Sequence, residues 1–204
     1  MTVFSKSARD LAKICKILKQ GEVVAAPTET AYGLLADATS KKAVARLFKL
    51  KGRSAQKVVP LVVANLTMAE NYVEFSRLAK KLARRFWPGP LTLVLPAKGH
   101  WPKGIVSESN MLGLRVPGSG WLRRLITDYA LPLTATSANL AGEATLYEMA
   151  EVKNLLAKRS LKYIVKSRRL TKRPTSTVVM VVGSKWHILR PGAIPLPKLR
   201  SVVE

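Results

Sequence analysis

Three cations, Lys51, Arg53 and Lys57, fall within seven consecutive positions of a 204-residue chain. Fixed positive charge at that density suits phosphate or carboxylate oxygens, and the planar arginine fork can bind either through two hydrogen bonds at once. Three further segments carry hydroxyl, amide or cationic side chains: Pro27-Thr28-Glu29-Thr30-Ala31-Tyr32-Gly33, Ser137-Ala138-Asn139, and Ser176-Thr177 with Arg190. All four are expected in loops just beyond strands, where open α/β sheets bind ligands. Singly, each has an ordinary structural reading. Thr30 could cap a turn, Lys51 could end a helix, and Ser137 with Asn139 could form a hydrogen-bonded turn.

Other chemistries lack their residues. There is no G-x-x-x-x-G-K-[ST] phosphate loop and no G-x-G-x-x-G turn after a strand. His100 and His187 are the only histidines and neither has a Cys or acidic neighbour in sequence, which leaves a Ser-His-Asp triad or a zinc site without partners. Paired carboxylates are scarce and no general base stands out. Any phosphate handling therefore falls to Lys, Arg and hydroxyl groups.

The charge agrees. Lys and Arg number 35 against 12 Asp and Glu, a formal net charge of +23. Such a field attracts polyanions such as RNA or nucleotides, although a basic host composition would produce it too. An apolar share of 48% supplies a core and argues against a disordered basic tail. No apolar run approaches the roughly 18–20 residues of a membrane span, and no signal-peptide core opens the chain. With a single cysteine, Cys15, and with Asp10 and a core helix so early, a cytoplasmic location is expected.

The elements that must position these residues follow from periodicity. Leu11, Ile14, Cys15 and Leu18 share one face of a helix begun at Ser7 and closed at Gly21. A strand at 23–26 runs into the Pro27 segment, and Ser40 caps a helix with Val44, Leu47 and Phe48 inward. Strands are expected at 58–64, 91–95, 112–116, 131–135, 163–165, 177–182 and 186–189. Helices are expected at 75–86, 121–129 and 147–158. The helix at 75–86 shows a basic outer face of Arg77, Lys80, Lys81, Arg84 and Arg85, broken by Trp87-Pro88-Gly89-Pro90. This alternation predicts an α/β fold, with no repeat and no domain boundary within 1–204.

The ordered set of motifs resembles the YrdC/TsaC family of threonylcarbamoyl-AMP synthases from about Gly21 to Gly192. The family's P-T-[ED]-T-x-[YF]-G is 27–33, and its K-x-R is Lys51-Gly52-Arg53 with Lys57 downstream. W-P-G-P-x-T is 87–92, and R-x-P is Arg115-Val116-Pro117. S-x-N is 137–139, and S-T-V-V with L-R-P-G is 176–179 with 189–192. Two departures stand out. Met180 replaces the usual acidic residue after S-T-V-V, and the basic run at 166–173 replaces a glycine-rich turn.

The resemblance implies a YrdC-like twisted mixed β-sheet with flanking helices around a basic concave cavity, in the single-domain form. It implies that L-threonine, bicarbonate and ATP give threonylcarbamoyl-AMP and pyrophosphate, for modification of the adenosine beside the anticodon of ANN-decoding tRNAs. By the same analogy Lys51 and Arg53 are catalytic, and Arg53, Lys57, Ser137, Asn139, Thr145 and Arg190 hold ATP. Thr30, Arg115 and Ser176 hold threonine. Mg2+ would accompany ATP, bound mainly by phosphates and water. A separate threonylcarbamoyl transferase complex and tRNA or double-stranded RNA are the expected partners, with no membrane. The competing reading is a non-catalytic RNA-binding module of the same fold, in which the basic helix and the 166–173 run contact phosphates.

Overall fold

The computed structural model describes residues 1–52, 58–140, 143–157 and 159–203. Its strands divide between two mixed sheets. The first is built from β1 (Thr2–Phe4), β2 (Val24–Pro27), β3 (Tyr32–Leu35), β8 (Thr136–Ser137) and β9 (Tyr163–Val165), in the order β1-β9-β2-β3-β8. The second contains β4 (Leu61–Val62), β5 (Leu91–Pro96), β6 (Met111–Arg115), β7 (Leu133–Thr134), β10 (Thr177–Val182) and β11 (Lys185–Arg190), in the order β11-β10-β5-β6-β4-β7.

Burial parity sets the layers. Val24, Ala26, Leu35 and Val165 pack with Leu11, Ile14 and Leu18 of α1 (Ala8–Lys19) and Leu122, Leu125 and Ile126 of α5 (Gly120–Tyr129). The alternate residues Val23, Ala25, Leu34 and Ile164 turn the other way, into the cluster with α2 (Lys41–Lys51) and α6 (Met149–Ala157). In the second sheet Leu91, Leu93, Leu95, Val179 and Val181 are buried in the cluster that includes α4 (Arg77–Phe86) and α7 (Leu196–Val203), leaving the other face open. Ser7, Ser40, Ser76 and Ser119 each cap a helix by accepting the N–H three residues on, satisfying a donor the helix cannot.

The two sheets join at a seam. Thr134 closes β7 and Thr136 opens β8, so the chain changes sheets across Ala135. The Thr134 hydroxyl accepts the Ala36 N–H at 3.0 Å, and the Thr134 N–H donates to the Ala36 carbonyl at 2.9 Å. Nearby, buried Asp37 accepts the Tyr129 hydroxyl at 2.7 Å and both donors of Thr39 at 2.8 and 2.6 Å. Burial and this bond push the Tyr129 phenol well above its usual pKa.

Several boundaries differ from the sequence expectation. Only Leu61–Val62 of 58–64 joins a ladder, because Pro60 has no N–H to donate. The helix expected from 75 begins at Arg77, since Ser76 caps it, and the one expected from 147 begins at Met149. There the Glu151 carboxylate takes the N–H groups of Tyr147 and Glu148, and Lys158 lies outside the described residues. β1, β3, β8, α3 (Leu66–Glu70) and α7 are additions. No described helix is long and apolar enough to cross a membrane.

The seam gives a stability test. Tyr129→Phe removes one donor from a buried carboxylate and should cost about 1–3 kcal/mol, read as a lower urea midpoint with unchanged helix content.

Candidate active site

The open face of the second sheet floors a cavity of about 740 Å³. Thr92 and Val94 of β5, Met111, Gly113 and Arg115 of β6, and Val178 and Met180 of β10 all face it, at every second position of their strands. The walls come from the first sheet and from α2: Thr28, Thr30 to Gly33, Lys51, Thr136, Ser137, Asn139 and Leu140. No carboxylate is among the described lining residues.

Strand direction gathers the polar groups at one end of the floor. β10 runs parallel to β5, while β6 runs antiparallel to β5 and β11 antiparallel to β10. The starts of β5 and β10 therefore meet the ends of β6 and β11. Thr92, Ser176, Arg115 and Arg190 come together there. The Thr92 and Ser176 hydroxyls lie 2.9 Å apart. Arg190 Nη2 donates to the Ser176 carbonyl at 2.8 Å and to its hydroxyl at 3.2 Å. The sequence reading placed Ser176 beyond a strand's end; it instead precedes β10, whose parallel pairing with β5 delivers it to the same place.

Gly192 fixes that corner. A Cβ there would lie 2.6 Å from both the Ser176 carbonyl carbon and the Thr177 nitrogen, and would collide with the Thr175 carbonyl. Only glycine lets the segment after Arg190 lie against Ser176, where the Ala193 N–H donates to the Thr175 carbonyl at 2.9 Å.

On the opposite wall α2 ends at Gly52, in the left-handed conformation with φ 59°. This leaves Lys51 buried in the last turn. Its Nζ donates to the carbonyls of Ser137 at 2.6 Å and Asn139 at 3.1 Å, and reaches Asn139 Oδ1 at 3.5 Å. The Ser137 hydroxyl donates to Asn139 Oδ1, and Asn139 Nδ2 to the Glu143 carbonyl. The S-x-N turn is thus wrapped around a buried ammonium.

The Pro27 segment forms a closed turn. The Thr28 hydroxyl accepts the N–H groups of Thr30 and Ala31 at 3.1 and 3.2 Å and donates to the Ala31 carbonyl at 2.8 Å. Thr30 lines the cavity. Tyr32 of the same motif serves the core: its hydroxyl donates to the Val165 carbonyl at 3.1 Å, and burial pushes its pKa up to about 12.

Burial lowers the pKa of both guanidiniums, and the charge of Arg115 lowers that of Arg190 further. Both remain cations, since arginine does not deprotonate in proteins. Glu29 faces Arg115, with Oε1 2.9 Å from Nη1.

Thr30, Lys51, Arg115, Ser137, Asn139, Thr145, Ser176 and Arg190, all singled out in the sequence, line this one cavity. Arg53 and Lys57 lie outside the described residues. Thr28, Thr92 and Met111 were not assigned to the site, although Thr28 and Thr92 stand inside quoted motifs.

Comparison with known proteins places the chain in a family. The Sua5/YciO/YrdC family model, described as telomere recombination, matches residues 16–192. The chain belongs to this family. A threonylcarbamoyl-AMP synthase of Pyrococcus abyssi is 34% identical over 190 residues, covering 91% of this chain. The chain spans only 55% of that relative's length. One from Yersinia pestis is 38% identical over 146 residues, 70% of this chain and 77% of that protein. The crystal structure of P. abyssi Sua5 complexed with L-threonine superposes with a TM-score of 0.92 at 30% identity, covering 99% of this chain and 61% of that one. Escherichia coli YciO, at 22% identity and a TM-score of 0.86, shares the fold and covers 96% of this chain and 97% of its own.

Within the Sua5/YciO/YrdC frame both departures now have places. Met180, an apolar thioether, sits on the cavity floor. The 166–173 run follows the segment beside Thr145: the Leu170 N–H donates to the Tyr147 carbonyl at 3.0 Å, and Arg169 pairs with Glu148 at 3.2 Å.

Lys51→Met should strip its ammonium from the two carbonyls and destabilise the fold by at least about 1–3 kcal/mol. Nucleotide affinity should fall even at temperatures where the variant stays folded. Thermal unfolding and nucleotide titration check this together.

Proposed function

We propose that this chain is an L-threonylcarbamoyl-AMP synthase. The observation that carries the reading is the convergence of hydroxyls, an S-x-N turn and buried cations on one cavity of about 740 Å³ whose described lining holds no carboxylate. That chemistry fits two anionic substrates. The threonine amine first takes up bicarbonate and loses water to become a carbamate. A carbamate oxygen then attacks the α-phosphorus of ATP, the bond to the bridging oxygen breaks, and pyrophosphate leaves.

Both reactants are anions, so positioning and charge stabilisation dominate the barrier. Arg190 and the Arg53–Lys57 segment take the ATP phosphates, while Ser137, Asn139 and Thr145 supply neutral hydrogen bonds to the nucleotide. Thr30, Ser176 and Arg115 take threonine, the ligand named for the P. abyssi Sua5 structure. Lys51 acts by holding the S-x-N turn as well as by its charge. Among the described residues no group of three or more His, Cys, Asp or Glu could hold a metal. Mg2+ would enter as the companion of ATP, ligated mainly by phosphates and water.

The product is consumed in tRNA modification by a separate transferase, which fits a cytoplasmic protein. RNA contact falls to a second surface. Arg77, Lys81, Arg84 and Arg85 of α4 are exposed and none lines the cavity. Only Lys80 on that helix is ion-paired among the described residues, with Glu70 at 2.8 Å.

Pyrophosphate should form only with ATP, threonine and bicarbonate together; release unaffected by omitting threonine contradicts the reading. Arg53→Ala should lower kcat by on the order of 10²-fold, the scale of losing one transition-state donor. Arg115→Ala should chiefly raise the threonine KM, by roughly 10- to 150-fold. Reversing Lys81, Arg84 and Arg85 to Glu should weaken RNA binding and flatten its salt dependence while sparing synthesis. Equal loss of both activities would assign that face to stability or to the cavity.

A further inference from the structure

Arg115 reaches the cavity from the end of β6, and its only carboxylate partner among the described residues comes from the other sheet. That partner, Glu29, does not line the cavity. The Thr28–Ala31 turn sends its two central residues apart, Thr30 into the cavity and Glu29 toward Arg115. The Glu29 stem passes over Gly118, where a Cβ would lie 3.4 Å from Glu29 Cγ. Both carboxylate oxygens are out of water and receive no aligned hydrogen bond among the described residues; the Arg115 guanidinium at 2.9 Å is their counter-charge.

We infer that Glu29 is a positioning residue for threonine: it anchors one arm of the Arg115 guanidinium and leaves the others aimed at the substrate carboxylate. The inference rests on the synthase reading of the cavity. Its physical basis is local. Arg115 stands beside a second cation, Arg190, whose pKa it lowers, so an unanchored Arg115 side chain would be driven away from that corner. A carboxylate on the side away from the cavity holds it in place without occupying the substrate's position. The same pair ties the β2–β3 turn of one sheet to β6 of the other, so Thr30 and Arg115 are placed by a single contact. Glu29 touches no reacting atom, and its removal should act on threonine binding rather than on the chemical step.

Steady-state kinetics on the full chain tests this with Glu29→Gln, Glu29→Asp, Arg115→Ala and the Glu29→Gln/Arg115→Ala double variant. Glu29→Gln keeps the shape and removes the charge. It should raise the threonine KM by about tenfold, the scale of weakening one hydrogen bond to a charged group. Its kcat and ATP KM should stay within about twofold, the scatter of independent effects. Glu29→Asp should recover most of the threonine KM. On the Arg115→Ala background, Glu29→Gln should add no more than about twofold.

A wild-type threonine KM in Glu29→Gln, a fall in kcat alone, or full multiplication of the two effects would each overturn the proposal. Calorimetric titration of threonine reads the same contrast without turnover. An inactive wild type that still binds threonine, with Glu29→Gln binding it about tenfold more weakly, would therefore overturn the synthase reading and leave the positioning role standing. A wild type that does not bind threonine overturns both.

Discussion

A lysine ammonium or arginine guanidinium taken out of water loses several kcal/mol of hydration, and its surroundings must return it. Lys51 and Arg115, both buried, face that requirement in full and the more exposed Arg190 only in part, and each is answered differently. Lys51 is given the carbonyls of Ser137 and Asn139. Arg190 is given the carbonyl and hydroxyl of Ser176. Arg115 is given a carboxylate, from Glu29. Carbonyl dipoles compensate solvation without cancelling charge, so the cavity stays electropositive. On the proposed reading, anionic substrates complete the balance.

The fold serves this arrangement by crossing its chain between two sheets. The step from β7 to β8 brings the S-x-N turn of one sheet over the open face of the other, and Lys51 then pins it there. Mixed strand directions gather Thr92, Ser176, Arg115 and Arg190 at one end of the floor, although they come from four separate stretches of sequence. Gly192 permits the close backbone contact that keeps Arg190 on Ser176.

Much of this was readable in the sequence because the cavity-lining residues sit in short motifs with ordinary turn chemistry. Thr30, Ser137, Asn139 and Arg190 were singled out by type and spacing, and given roles through the resemblance of the ordered motifs. Helices α1, α2 and α5 were readable because their apolar periodicity and serine caps agree. The division into two sheets was not, because β4, β7 and β8 are two residues each and owe their pairing to tertiary context. Nor was the Glu29–Arg115 contact. The two residues lie far apart in the chain and in different sheets, and Glu29 inside its motif looks like any solvated turn acid. Lys51 was chosen for its charge, while its hold on two backbone carbonyls depends on where α2 stops.

The central claim is that this electropositive cavity joins threonine, bicarbonate and the α-phosphate of ATP in one adduct. Incubation with [14C]bicarbonate, threonine and ATP, followed by chromatography of the nucleotide fraction, tests it most directly. The account predicts radiolabel co-migrating with threonylcarbamoyl-AMP, lost when threonine is omitted and sharply reduced in Arg190→Ala. Radiolabel absent from every nucleotide while ATP is still hydrolysed would contradict it.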